Sequence, residues 1–129
     1  MSIKNLKDLI SEAHKQPEPQ RLLLLFAQAT PMSTGMNVKH QSGTITPVMC
    51  VDKLPSEIES FAELVKEADS ITAKWDFILI STLSGKNGVV PTSDEAGPYL
   101  KEMSNGLASG DNLSKYAILD RDETPIIVS

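Results

Sequence analysis

The sequence is poor in the residues that build metal and disulfide sites. Cys50 is its one cysteine, so no disulfide forms within the chain and no cysteine-built metal cage is possible. The two histidines, His14 and His40, have no carboxylate or histidine at a metal-ligand spacing, since neither Glu-x-x-His nor His-x-x-x-His occurs. We therefore predict no metal and no cofactor.

Basic residues and long apolar runs are also scarce. The sequence contains 12 Lys and Arg residues and 17 Asp and Glu residues, which gives a formal net charge of −5. General nucleic-acid binding needs clustered cations, so we expect no nucleic-acid partner. The longest apolar run, residues 22–27, is far shorter than the roughly 20 residues that cross a bilayer. The first residues mix charges into apolar positions, unlike a signal peptide. We expect a cytoplasmic protein without a membrane partner.

The chain has enough apolar material for one core. Its 129 residues are 40% hydrophobic, which suits a single globular α/β domain over residues 1–129. Aromatic residues make up only 5% and there are five methionines, so we expect an aliphatic core.

Periodicity in the first half predicts one helix and two strands. Apolar residues recur at helical spacing over residues 3–15, and the prolines Pro17 and Pro19 end that helix. Residues 21–29 are almost continuously apolar, as in a strand covered on both faces. Residues 30–43, with Met32 and Met36, form a long polar loop that is a candidate partner-binding segment. Residues 44–51 predict a second strand, in which Pro47 indicates an edge or a bulge.

The second half predicts two helices and three strands. Ser56 and Glu59 have the spacing of a capping box before an apolar stripe. That stripe consists of Ile58, Phe61, Ala62, Val65 and Ala68. Residues 75–83 predict a central strand, and a helix capped by Asp94, in preference to Thr92, runs towards Gly110. Residues 116–119 and 125–128 predict a C-terminal β-hairpin around a solvated polar tip, residues 120–123.

The resulting order is α-β-β-α-β-α-β-β. We predict a mixed five-stranded sheet with three helices, in which residues 44–51, 75–83 and 116–119 run parallel because helical crossovers join them. Residues 125–128 then pair antiparallel with the strand before them. The strands over residues 21–29 and 75–83 need cover on both faces, from the N-terminal helix or from a second subunit.

In a sheet with parallel strands, ligands collect beyond the carboxyl ends of the strands. Two segments would meet there and form a rim able to hold a phosphate or carboxylate. The candidate ligand-binding residues are Cys50, Asp52, Lys53, Ser84, Gly85, Lys86 and Asn87, with Gly88 completing the second segment. The alternative is that residues 84–88 are only a turn chosen for its glycines. A phosphate-binding P-loop is excluded, because Ile80 and Asn87 occupy the positions of its first glycine and its Ser or Thr.

The chain contains no complete catalytic constellation. Cys50 is the only possible thiol nucleophile, and such chemistry needs a base or a cation beside it, whereas a cysteine in a strand is usually a small buried hydrophobe. We assign no catalytic residue and leave open whether the protein is an enzyme.

Three stretches of the sequence resemble a family of small bacterial proteins without an established activity. They are residues 18–27 (EPQRLLLLFA), 46–53 (TPVMCVDK) and 75–85 (WDFILISTLSG), and the resemblance covers most of the chain. Members often carry the label "ribonucleotide reductase subunit alpha". That enzyme's reduction chemistry uses several cysteines, so the label does not describe catalysis by a chain with Cys50 alone. The resemblance implies a bacterial, cytosolic, self-contained domain.

Two classes of function follow from these observations. The first is a non-catalytic binding or accessory module, and the second is a small enzyme or anionic-ligand-binding domain that uses the rim. We also expect a homodimer, because a five-stranded sheet in so short a chain leaves edges, and three helices leave apolar strand faces to cover.

Overall fold

The computed structural model describes residues 5–30, 44–72, 74–109 and 116–126. These residues form three α-helices and one four-stranded sheet. The helices are α1 (Leu6–His14), α2 (Phe61–Ile71) and α3 (Ser93–Ser109), and the strands are β1 (Gln20–Thr30), β2 (Thr44–Lys53), β3 (Phe77–Ser84) and β4 (Ala117–Asp120). The predicted loop over residues 30–43, with Met32, Met36 and His40, lies outside the described residues except for Thr30, which ends β1.

The strand order is β2-β1-β3-β4, and every neighbouring pair is antiparallel. The predicted parallel arrangement is therefore wrong. β2 and β3 do point the same way, as a helical crossover requires, but β1 lies between them. Strand β4 runs against β3 although α3 precedes it. The pattern of helices and strands requires a crossover, but it does not determine which strand fills the gap or from which end the chain enters β4.

The predicted fifth strand, residues 125–128, is not present in the described part of the chain. Pro125 forms a single antiparallel bridge with Leu119, and the Ile126 N–H donates to the Ile118 carbonyl at 2.9 Å. Residues 127–129 lie outside the described residues. A proline donates no backbone hydrogen bond, which limits the pairing that this segment can make with β4.

The hairpin tip, predicted to be solvated, is bound to the rest of the molecule. Arg121 lies 4.1 Å above the ring of Trp75 and donates to Asp69 at 2.7 Å. Trp75, which is 1% exposed, also donates its indole N–H to Asp69 at 3.0 Å. The Glu123 carboxylate accepts the N–H of Leu6 in the first turn of α1 at 2.9 Å. These contacts join the tip to both α1 and α2.

The sheet is covered by helices on both sides. Face one carries Leu22, Leu24, Phe26, Ile78, Ile80 and Leu119, and packs against α1 and α2. Face two carries Leu23, Leu25, Ala27, Leu79 and Ile118, and packs against α3. Because side chains alternate along a strand, the leucines of β1 contribute to the core on both faces. All of them are buried because β1 lies between two other strands and beneath helices on both sides. One chain therefore covers both faces of β1, whereas the last four residues of β3 remain partly exposed.

Two helices begin at residues other than those predicted. The cap of α2 is Ser60, whose hydroxyl accepts the Glu63 N–H at 3.1 Å, so the Ser56–Glu59 box is wrong and residues Pro55–Glu57 form a short 3₁₀ turn. Thr92 caps α3, because its hydroxyl accepts the Glu95 N–H at 3.1 Å. Asp94 is therefore not the cap, and Pro98 lies within the helix. Pro98 is exposed, so water reaches the carbonyl that its missing N–H leaves unbonded.

Strand β2 contains the irregularity that Pro47 indicated. Phe26 pairs with Met49 and Ala27 pairs with Pro47, which leaves Val48 as the extra residue of a β-bulge. Val48 and Met49 both pack on the face-one cluster as a result. Pro47 was predicted to mark an edge or a bulge, and β2 has both in the described sheet.

Candidate functional site

The two predicted rim segments do reach the same end of the sheet. β2 and β3 point the same way, so Lys53 and Ser84 end their strands beside the beginning of β1 at Gln20 and Arg21. The sheet itself nevertheless divides the predicted residues. Cys50 and Asp52 pair with Leu25 and Leu23 and lie on face two, whereas Lys53 and Ser84 pair with Leu22 and Gln20 on face one. The rim is therefore two separate polar clusters.

The face-two cluster is an ion pair that ties the sheet to the beginning of α3. Arg21 donates to Asp52 at 2.5 Å, and the two side chains are 12% and 18% exposed. The Arg21 Nε donates to the carbonyl of Pro91 at 2.6 Å, and the Ser93 hydroxyl donates to Asp52 at 2.5 Å. Charge and hydrogen-bonding capacity are thus satisfied inside the protein, as buried polar groups require.

The face-one cluster is also internally paired. Lys53 lies 2.6 Å from the carboxylate of Glu67 on α2. Ser84 accepts the side-chain amide of Gln20 at 2.8 Å, and Gln20 is 4% exposed. An anionic ligand at Lys53 would have to compete with Glu67.

The segment from Ser84 to Gly88 is a tight turn. Asn87 and Gly88 have φ angles of 54° and 78°, and Lys86 bridges Val89, which matches a type I′ turn with Asn-Gly at its centre. A Cβ on Gly85 would lie 2.0 Å from the Val89 carbonyl oxygen, so the close approach of backbone to backbone requires glycine there.

Three backbone donors of this turn are directed at the protein. Gly85 donates to Pro19 at 2.8 Å, and Lys86 donates to Val89 at 3.1 Å. The N–H of Gly88 donates to the Glu18 carboxylate at 2.8 Å, so a carboxylate from the same chain already occupies a position that a bound anion would take. Lys86 itself has an exposed side chain. These contacts favour the turn interpretation of residues 84–88 over the ligand loop.

The thiol of Cys50 is not set up as a nucleophile. The residue as a whole is exposed, but partial burial of the thiol raises its pKa above the ordinary value of 9.0. A catalytic thiol needs the opposite shift, from a cation or a hydrogen-bond donor that stabilises the thiolate. The raised pKa lowers the thiolate fraction at neutral pH.

Sequence reasoning missed three residues that organise the rim. Arg21 donates to Asp52, and Gln20 donates to Ser84. Glu18 accepts the Gly88 N–H. The signal available was the pair of polar residues that opens a run of leucines. In a strand covered on both faces, polar residues at the first positions must find partners at the end of the sheet.

A concave region lies between α3 and β3 on face two. It is a groove of about 270 Å³. The groove is lined by Leu23, Ser81, Thr82, Leu83, Tyr99, Glu102, Met103 and Tyr116. α3 packs against β1 and β2, so none of the described helices lies over the part of face two above β3.

Within the described ranges, no three His, Cys, Asp or Glu side chains cluster as a metal site would require. None of the helices described has the length and apolar character needed to span a bilayer. Comparisons with protein-family models, curated proteins and solved structures gave no match to this chain.

Proposed function

We propose that this protein is a non-catalytic binding or accessory module that acts as a homodimer in the bacterial cytoplasm. The bacterial and cytoplasmic parts rest on the sequence resemblance, and the excess of acidic residues argues against a nucleic-acid partner. The internal pairing of the rim at Asp52, Lys53 and Ser84 supports a non-catalytic function, because those groups bond to the protein itself.

The observation that carries the dimer is the outer edge of β2. Strand β2 is the last strand of the sheet on its side, and no described strand pairs with its outer edge. The opposite edge, at β4, is four residues long and is partly covered by the bridge to Pro125. An unpaired edge strand is a template for another strand.

The backbone register identifies which groups of β2 point outward. The Ala27 carbonyl accepts the Asp76 N–H at 2.7 Å on the β3 side of β1. The direction of the backbone N–H and C=O groups alternates from residue to residue along a strand. Those of Leu24 therefore point towards β2, and those of its partner Val51 point towards β1. The N–H and C=O groups of Cys50 and Asp52 therefore point away from the sheet.

These outward groups suit a short antiparallel contact between two copies. With a two-fold axis beside Val51, Cys50 of one copy lies opposite Asp52 of the other, and the two residues exchange both backbone hydrogen bonds. Pro47 pairs with Ala27, so it occupies an outward position where it offers no donor. Pro47 and the bulge limit the contact to the end of the strand, which prevents open-ended association.

Light scattering on the intact protein at micromolar concentration tests the dimer. We expect a mass near twice 14.0 kDa. Cys50→Pro removes one outward N–H without removing a bond between β1 and β2, so it should weaken the dimer at least about tenfold. Cys50→Ser is the matched control and should remain dimeric. A wild-type mass near 14.0 kDa that persists on concentration would overturn the homodimer.

A further inference from the structure

The groove between α3 and β3 presents two phenol rings and one carboxylate to the same space. Tyr99, Glu102 and Met103 occupy positions i, i+3 and i+4 of α3, which share one side of a helix. Tyr116 closes the groove near the beginning of β4, and Leu23 of β1 lies beneath it. Aromatic rings and a carboxylate in one concavity favour a cation.

Two of these groups have no partner in the described part of the chain. Tyr99 is 49% exposed, and the structure gives its hydroxyl no hydrogen bond there. Glu102 is exposed and makes no ion pair with any described residue, in contrast to Asp52 and Glu67, whose carboxylates are paired. Among the described residues, Glu102 is the only charged one that lines the groove, so the charge of the described lining is negative.

We propose that this groove binds the cationic side chain, arginine or lysine, of a partner polypeptide. This inference rests on the proposed binding function and names the partner's chemistry. The volume of about 270 Å³ is slightly below the range of drug-sized ligand pockets and leaves room for one long side chain. The aliphatic stem of such a side chain packs on Leu83 and Met103, while its charged end reaches Glu102 and the aromatic rings.

The overall charge of the chain favours the same class of partner. Its net charge of −5 attracts a basic segment, and the attraction acts before contact. Another concavity, beside α2, is also negative, since four glutamates and two lysines line it, but its described lining contains no aromatic ring and its Glu67 is already paired with Lys53.

The test uses the full-length protein and the acetylated, amidated peptide Gly-Gly-Arg-Gly-Gly, followed by backbone amide NMR. The citrulline version of this peptide is the uncharged control, since it keeps the shape and loses the charge. We expect the arginine peptide to shift the amides of Leu83, Tyr99 and Met103, and the citrulline peptide to bind at least about threefold more weakly. Equal binding of the two peptides would overturn the proposal.

Two variants locate the effect. Glu102→Gln and Tyr99→Leu should each weaken binding of the arginine peptide by about threefold. Asp94→Asn removes the same charge from the same helix outside the groove, and binding should stay within about a factor of two. Amide shifts confined to Glu59 and Glu63, or an unchanged affinity in Glu102→Gln, would refute binding of the peptide in the groove.

A further arm separates a polypeptide partner from a small cation. Arginine amide alone should bind more weakly than the peptide, because it lacks the flanking backbone, and equal affinity would overturn the polypeptide assignment. The same samples are measured by light scattering. A dimer that binds no arginine peptide defeats this inference and leaves the proposed function standing, whereas a monomer that binds the peptide defeats the homodimer only.

Discussion

The two faces of the sheet are covered in different ways. Face one lies beneath two helices, α1 and α2, and Trp75 fills the space beside Phe26, with the two rings 5.1 Å apart in an edge-to-face contact. Of the described helices, α3 alone covers face two, and it packs against β1 and β2 and leaves the groove above β3. Two helices cover the buried strand residues of face one, whereas a single helix on face two leaves strand residues of β3 in the lining of a groove.

The largest expected effect comes from two consecutive leucines of β1. Leu24 is completely buried on face one, and Leu23 is 3% exposed at the floor of the groove on face two. Leu24→Ala leaves a closed cavity and should lower the free energy of unfolding by about 4 kcal/mol, whereas Leu23→Ala should cost about 2.5 kcal/mol because its space opens into the groove. Urea denaturation measures both. A larger loss for Leu23→Ala would contradict the contrast between the faces.

The second prediction concerns the anchor of α3 on face two. Arg21→Met leaves the carboxylate of Asp52 with only the Ser93 hydroxyl, so the free energy of unfolding should fall by about 3 kcal/mol. Adding Asp52→Asn removes the uncompensated charge and should restore part of the loss. Chemical denaturation of the single and double variants checks this. A double variant no more stable than Arg21→Met would show that the pair is not coupled.

A smaller effect is expected at the hairpin tip, which fastens face one. Arg121→Ala removes the stacking on Trp75 and the ion pair with Asp69, and its partial exposure limits the expected loss to about 1 kcal/mol. The emission of Trp75, the only tryptophan, should also change because its indole loses the cation above it. Arg121→Lys keeps the charge and should retain part of the stability. Unchanged emission and stability in Arg121→Ala would refute the contact.

The smallest effect belongs to Cys50 at the edge of face two. Its pKa is raised in the folded protein, so the unfolded chain loses this proton first as the pH rises. The stability that the protonated Cys50 thiol contributes is therefore fully present below the ordinary pKa of 9.0. It is lost as the pH rises through the pKa of this thiol in the folded protein. Cys50→Ser should flatten that decline in denaturation measured from pH 8 to 10.

The same residue separates the two classes of function. Iodoacetamide at pH 8 should modify Cys50 in the native protein more slowly than in the unfolded chain, because less thiolate is present. Faster labelling of the native protein would instead favour the small thiol enzyme.

The sequence was most informative where a pattern repeats over many residues. The runs in β1 and β3, the alternation in β2 and the amphipathic α1 gave elements within a few residues of those observed. Helix beginnings were less secure, because Ser56 and Ser60 are both followed by a glutamate three residues later, and both Thr92 and Asp94 are capping residues. Which cap forms depends on where the helix meets the core.

The candidate rim shows the same limit. The sequence indicated correctly that the ends of β2 and β3 reach one end of the sheet. It gave no sign that β1 lies between them, nor that Arg21 and Glu18 take up the groups expected to hold a ligand. The sequence also did not reveal the groove, since Tyr99 and Ser81 are separated along the chain and line one groove only because α3 packs across β1 and β2.

The sequence by itself determined that this chain has an aliphatic core, three amphipathic helices and strands buried on both sides, because hydrophobic periodicity follows from local backbone geometry. The tertiary structure decided the antiparallel order, the outward direction of the backbone groups of Cys50 and Asp52, and the position of Glu102 in the groove. Strand order and groove formation depend on contacts between distant segments, and those contacts are chosen by how whole faces pack rather than by any residue's neighbours in the chain.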